Sequence, residues 1–250
     1  MTPRTVVFLG PTLRRDEAEA CLPAVYRPPA EGGDVVRAIQ DGGARRIVLI
    51  DGIFAAVPAV RHKEILWALA QGVSVYGAAS MGALRAAELH PFGMRGHGLI
   101  YRWYRATPLA DDDEVAVAMM PPALGGQALG EALIDMRLTF RRAERHGVID
   151  GRLRAALDAA ARRLHFLDRT YAALLDDAAC VLPDPLRGAV PALRAWIEIH
   201  AVRQKREDAL GLLRHLASRP EETVVAPPFR MTEAWAADLD AAGLTVHHGG

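Results

Sequence analysis

Lysine is nearly missing from this chain. Of 30 basic residues among 250, only Lys63 and Lys205 are lysine, and the others are arginine. Arginine stays protonated in proteins and cannot serve as a general base, whereas a desolvated lysine can, so both lysines call for separate inspection. Either one is equally readable as a chance survivor on the surface. Cysteine is as scarce. Cys21 and Cys180 are too few and too far apart for a disulfide scaffold or a cysteine zinc site; they fit a reducing compartment and are expected as buried thiols. Net charge is also lacking, because 30 acidic side chains cancel the 30 basic ones, which removes the electrostatic footprint of a general nucleic-acid binder. No apolar stretch reaches the roughly 20 residues that span a bilayer. Met1-Thr-Pro-Arg-Thr5 runs directly into Val6-Val-Phe-Leu9, without the pattern of a secretory signal. The expectation is a folded cytoplasmic protein with no membrane part, and 51% hydrophobic content suffices for a sizeable core in one domain or two.

The first part alternates strand-like apolar runs with helical patterns, the signature of an α/β layer structure. Thr5–Leu9 ends at Gly10-Pro11, Arg46–Ile50 at Asp51-Gly52, and Val73–Tyr76 at Gly77, with a weaker strand at Ala24–Arg27. Between them, Asp34 to about Gln40 reads as a helix, and Pro58 begins another that Gly72 ends. This order implies right-handed crossovers and a mainly parallel, Rossmann-like sheet. From about residue 111 strand-like runs almost vanish, and segments near 127–146, 151–164, 168–179, 188–199 and 202–217 read as helices. Pro183-Asp-Pro185 reads as a loop, Val224-Val225 as one late strand, and Thr232 to Ala242 as a final short helix. The expected division is an α/β core over 1–118 and a mostly helical region over 119–250.

The most informative stretch runs from Val73 to Leu89, where a strand ends in small residues, Ser80 follows, and a helix begins at once. In such a turn the hydroxyl stands at the carboxyl end of the sheet and the free N–H groups of Met81, Gly82 and Ala83 point towards whatever it attacks. Those donors suit an oxyanion hole, and Gly77, Ala78, Ala79 and Gly82 suit close approach of a substrate. Ala78 occupies the first glycine position of a Gly-x-Ser-x-Gly elbow, so that motif is not present. The plainer alternative is that Ser80 caps the helix. Gly10, Thr12, Asp51 and Gly52 end neighbouring parallel strands and should border the same crevice, or else simply make turns.

On the helix after Pro58, the neighbours of Lys63 are Ala59, Leu66, Trp67 and Ala70, an apolar row in which the amine is either desolvated or snorkels to water. A desolvated amine titrates towards neutrality and can take a serine's proton. His62, His90 and His97 are rival bases, and Asp51 could complete a Ser–His–Asp arrangement; spacing selects none of them. No zinc motif and no phosphate-binding glycine loop is found, so no metal and no cofactor is expected. Asp111-Asp-Asp-Glu114 either complements a helix dipole or invites a metal. Lys205 shares a helix face with Asp208, which predicts an exposed ion pair; the persistence of lysine there prompts a second expectation, a contact with a partner protein.

Val57-Pro-Ala-Val-Arg-His-Lys-Glu-Ile-Leu-Trp67, Gly77-Ala-Ala-Ser-Met-Gly-Ala-Leu-Arg-Ala-Ala-Glu-Leu89, Phe92-Gly-Met94 and Asp111-Asp-Asp-Glu-Val-Ala-Val117 together resemble the core of the TfuA family. The likeness is close over residues 4–118 and looser beyond. It implies a partnership with YcaO-type enzymes, which activate a peptide amide by ATP-dependent phosphorylation so that sulfur replaces its oxygen. It further implies hydrolysis of the C-terminal thiocarboxylate of a ThiS-like sulfur-carrier protein, with release of sulfide, and indirect contact with a precursor peptide. The family's Ser–Lys pair falls on Ser80 and Lys63, and a Gly-Gly carrier tail would suit a groove at Gly77 to Ala79. Two other readings stand beside this one: a non-catalytic adaptor for the YcaO enzyme, and an unrelated serine hydrolase of small thioesters.

Overall fold

The computed structural model describes residues 4–53, 57–107, 110–121, 124–219 and 226–246. Its order begins β1 (Arg4–Phe8), α1 (Arg15–Cys21), β2 (Val25–Arg27), α2 (Asp34–Gln40), β3 (Ala44–Leu49), α3 (His62–Ala70), β4 (Ser74–Ala78), α4 (Met81–Leu89), β5 (Arg95–His97) and α5 (Gly98–Ala106). It continues with α6 (Leu133–Arg145), α7 (Gly151–Arg163), α8 (Tyr171–Val181), α9 (Asp184–Arg187), α10 (Val190–His200), α11 (Gln204–Ala217) and α12 (Glu233–Ala241). The three strong apolar runs and the weak one became β1, β3, β4 and β2, while β5, α1 and α5 carried no signal that was read. The short α9 occupies the expected loop at Pro183–Pro185. Val224 and Val225 lie outside the described residues.

All five strands are parallel, in the order β2-β1-β3-β4-β5, which confirms the α/β class. The chain divides into two compact units: Met1–Pro108 with Arg206–Gly250, and Leu109–Lys205. The expected boundary at 118 followed the change of residue pattern; the compact units instead group the last two helices with the sheet.

In the first unit, successive strand residues point to opposite faces. Val7, Leu9, Val48, Ile50, Tyr76 and Ala78 pack with Ala18 and Leu22 near α1 and with Leu210, Leu212, Leu213 and Leu216 of α11. Their alternates Val6, Phe8, Ile47, Leu49 and Val75 are equally buried, on the side where α2, α3 and α4 meet the strands. Three of the helices here begin against a buried carboxylate. Glu64 accepts from Arg61 N at 2.7 Å at the start of α3, and from Gly33 N and Val35 N at 3.0 and 3.3 Å at the start of α2. Asp208 does the same for α5, taking Leu99 N and Ile100 N at 2.9 and 2.7 Å.

The second unit is helical, built around Leu133, Met136, Phe140, Leu153, Leu157, Leu174 and Leu193. Asp150 caps α7 and Thr170 caps α8 through their side chains. The acidic run Asp111–Glu114 forms one short 3-10 turn, and its carboxylates serve arginines: buried Glu114 takes Arg137 and Arg162, and Asp113 takes the wholly buried Arg169. Among the described residues no group of three His, Cys, Asp or Glu could hold a metal ion, and no helix is long and apolar enough to cross a membrane. The cysteines correct an expectation, since Cys21 is half-buried and Cys180 exposed.

Candidate active site

A parallel sheet of order 2-1-3-4-5 reverses direction between β1 and β3, and ligands of such folds bind beyond the carboxyl ends of the strands near that point. Ser80 stands at this edge, after β4. Ala79 is the one non-glycine residue with positive φ among the described residues, at 68°, and Ser80 N–H donates to the Ala78 carbonyl at 2.8 Å. This three-residue γ-turn is a rare and strained connection, of the kind that persists only where the surroundings enforce it. The serine is 2% exposed and precedes α4, whose first-turn N–H groups of Ala83 and Leu84 bond its backbone carbonyl; its side chain makes no capping hydrogen bond. The capping alternative therefore does not account for the hydroxyl.

The glycines around this turn serve close packing between protein segments. A Cβ on Gly82 would stand 1.8 Å from the Leu49 carbonyl oxygen, and one on Gly77 would stand 2.0 Å from that of Gly82. The start of α4 is thus seated directly on the ends of β3 and β4. Gly52 and Gly10 are similarly filled, their missing Cβ positions lying 2.7 Å from Met81 Cγ and 2.3 Å from Pro29 Cγ. Gly77, Ala78 and Ala79 are buried, the two alanines within the core, so the expected open groove from Gly77 to Ala79 is occupied by protein. Of the expected oxyanion donors, Gly82 N–H is given to the Ile50 carbonyl at 3.3 Å and Ala83 N–H to Ser80 itself. Met81 N–H, on the residue after the serine, has no acceptor among the described residues.

Asp51 is buried, and it fastens the loop after β1 to the end of β3. One oxygen accepts Gly10 N at 2.9 Å and Thr12 N at 3.2 Å, and the other accepts the Thr12 hydroxyl at 2.5 Å. Both oxygens are engaged, and no histidine among the described residues bonds them. His62 pairs with Glu88 at 2.8 Å, and His90 bonds the Tyr101 hydroxyl at 2.9 Å. His97 lies against His215 with ring centroids 5.5 Å apart; burial, reinforced by that neighbour, lowers its pKa below the usual histidine value. A Ser–His–Asp arrangement is not assembled among the described residues.

Lys63, whose apolar row left desolvation and snorkelling open, is half-buried; its amine donates to the Arg230 carbonyl at 3.0 Å and lies 5.3 Å from the Phe229 ring centre. No hydrogen bond joins it to Ser80 among the described residues. The two helices are nonetheless neighbours: Arg85 Nε of α4 donates to the Val60 carbonyl at 3.0 Å, and His62 reaches Glu88. Lys205 lacks the exposure that both expectations for it assumed. It is 4% exposed, its amine donates to the Val115 carbonyl at 2.8 Å, and its N–H meets Asp135, so it offers nothing to a docking partner. Burial pushes the Asp135 carboxyl up to about 7 despite the nearby lysine. The capping carboxylates Glu64, Asp208 and Asp135 went unread in the sequence; only Glu64, at the third position of its helix, had a local signal.

No curated protein matches this chain. The family described as TfuA-like protein matches residues 51–170, a span that holds Asp51, Lys63, the γ-turn with Ser80, and the arginine-bound acidic run. Over that span the chain belongs to the TfuA-like family.

Proposed function

We propose that the protein is a hydrolase that releases sulfide from the C-terminal thiocarboxylate of a ThiS-like sulfur-carrier protein, with Ser80 as nucleophile and Lys63 as its base. The observation that carries this reading is a serine set on a strained γ-turn whose hydroxyl caps nothing and whose chain neighbour Met81 leaves its N–H without an acceptor among the described residues. Neutral Lys63 takes the Ser80 proton, the alkoxide adds to the thiocarboxylate carbon, and Met81 N–H faces the developing oxyanion. Collapse expels hydrosulfide, which takes with it the proton that the amine had accepted; the amine so freed deprotonates a water that cleaves the acyl-serine and passes that proton to the departing Ser80 oxygen, leaving a carboxylate on the carrier. The amine must first leave the Arg230 carbonyl. The carrier tail must enter from the strand-end edge, because Ser80 is almost wholly buried. Sulfide released here would supply a YcaO-type enzyme that thioamidates a precursor peptide, the partnership that the family resemblance implies.

A non-catalytic adaptor for the YcaO enzyme is the second reading, favoured by the engagement of Lys63 with Arg230 rather than with Ser80. Sulfide measured from purified thiocarboxylated carrier separates the two. The parent protein should release it and folded Ser80→Ala should not; equal release by both would remove Ser80 from the chemistry, and no release by the parent would leave the adaptor.

A further inference from the structure

The contact that occupies Lys63 comes from far along the chain. Residues 226–232 form neither helix nor strand and lead into α12, which Thr232 starts by accepting Trp235 N–H. α12 is well anchored. Trp235 is 2% exposed and sits against Trp67 of α3 at 6.4 Å, Arg37 donates to the Ala242 carbonyl at 3.1 Å, and Gln40 donates to that of Thr245 at 2.6 Å. The stretch before it presents its Phe229 ring edge-on to Trp235 at 5.2 Å and offers Lys63 two things at once, a ring face and the Arg230 carbonyl. Both engage the amine as a cation and as a donor. A base must be neutral and accept.

We propose that residues 226–232 are a latch that holds Lys63 in the donor role away from Ser80, and that the amine serves Ser80 only when this stretch lifts while α12 stays seated. The proposal rests on the Ser80–Lys63 reading and adds its regulation. The geometry favours lifting of the stretch over loss of the whole arm. The α12 anchors bind α2 and α3 through a buried indole and backbone carbonyls, whereas Arg230 is exposed and the two proline residues before Phe229 have no N–H to pair. The start of α3 is meanwhile fixed beside α4 by the Arg85–Val60 and His62–Glu88 bonds, so the helix that carries Lys63 stays beside the helix that Ser80 precedes when the stretch lifts.

The scarcity of lysine makes the latch directly observable. Reductive methylation with a carbon-13 label marks Lys63, the buried Lys205 and the terminal amine, and Lys63→Met assigns the Lys63 resonance by its loss. In the parent that resonance should carry a ring-current shift. Phe229→Leu should abolish the shift and Phe229→Tyr should keep it, with Trp fluorescence confirming that α12 remains packed. In the sulfide assay with unmethylated protein, Phe229→Leu should be faster than the parent by about two- to fivefold, the population change carried by a lost exposed cation–π contact, and Phe229→Tyr should match the parent. An active parent with an equally active Phe229→Leu protein would overturn the latch while leaving the catalytic pair standing. An unshifted Lys63 resonance in the parent would also overturn it. Sulfide release that survives Ser80→Ala would instead sink the catalytic reading, and the latch with it.

Discussion

Glu64 sets two effects against each other, and one substitution decides between them. Its carboxyl is 1% exposed, and burial pushes it up to about 7 although three backbone N–H groups favour the anion. The ordinary value is 4.5. Between these two pH values the folded protein keeps a proton that the unfolded chain has already released, so stability is greatest below about 4.5 and falls as pH rises towards 7. At about 1.4 kcal/mol per unit the loss amounts to about 3 kcal/mol. Glu64→Gln abolishes the titration. Its amide turns one acceptor into a donor facing an N–H, a cost of about 1–3 kcal/mol that does not vary with pH. Urea unfolding followed through Trp67 and Trp235 should therefore show the Gln protein gaining about 3 kcal/mol on the parent between about pH 4.5 and about pH 7.5. A constant difference, or a parent that gains on the variant as pH rises, would mean that the converging helix N-termini outweigh desolvation.

Three further outcomes are expected. Gly82→Ala drives a Cβ into the Leu49 carbonyl, backbone against backbone, and should cost about 3 kcal/mol or lower Tm by about 6–12 °C, read by scanning calorimetry; an unchanged Tm would show that α4 is not seated on β3. Asp51→Ala leaves Gly10 N–H, Thr12 N–H and the Thr12 hydroxyl without their acceptor, so hydrogen exchange at Gly10 and Thr12 should accelerate and stability should fall by about 3 kcal/mol; unaltered protection would refute the fastening role. Lys205→Met keeps the length of the side chain but removes the donor from the Val115 carbonyl, for a loss of about 2 kcal/mol in thermal unfolding; a neutral outcome would show that the amine finds water instead.

Strands β1, β3 and β4 were legible because each is an apolar run buried on both faces and closed by Gly or Asp. β5 was not, since Arg95-Gly-His97 has no apolar run and owes its strand conformation to pairing with β4 through Tyr76, Gly77 and Ala78. The serine turn could be read from its small residues, but the positive φ at Ala79 could not, because alanine gives no warning of it. Lys205 and Asp208 show the limit most clearly. Helical spacing made them an exposed pair, but both are buried, and each reaches a group about a hundred residues away, at Val115 and at Leu99 and Ile100. Lys63 fell between these cases: its own helix showed an apolar row but left desolvation and snorkelling open, because the group that holds its amine lies 167 positions along the chain.

The sheet is covered in a particular order in time. Val7, Leu9, Val48, Ile50, Tyr76 and Ala78 emerge from the ribosome early, but Leu210, Leu212, Leu213 and Leu216, which close over that face, follow the whole of the second unit. At about 5–20 residues per second, the roughly 130 intervening residues leave that apolar face waiting for about 6–26 s. Nascent chains halted before α11 should therefore be bound by chaperones that recognise bare apolar surface, and should lose that binding once residues 206–217 have cleared the exit tunnel. A fragment limited to residues 51–170 would never reach that point, because it lacks β1, β2 and β3 as well as α11.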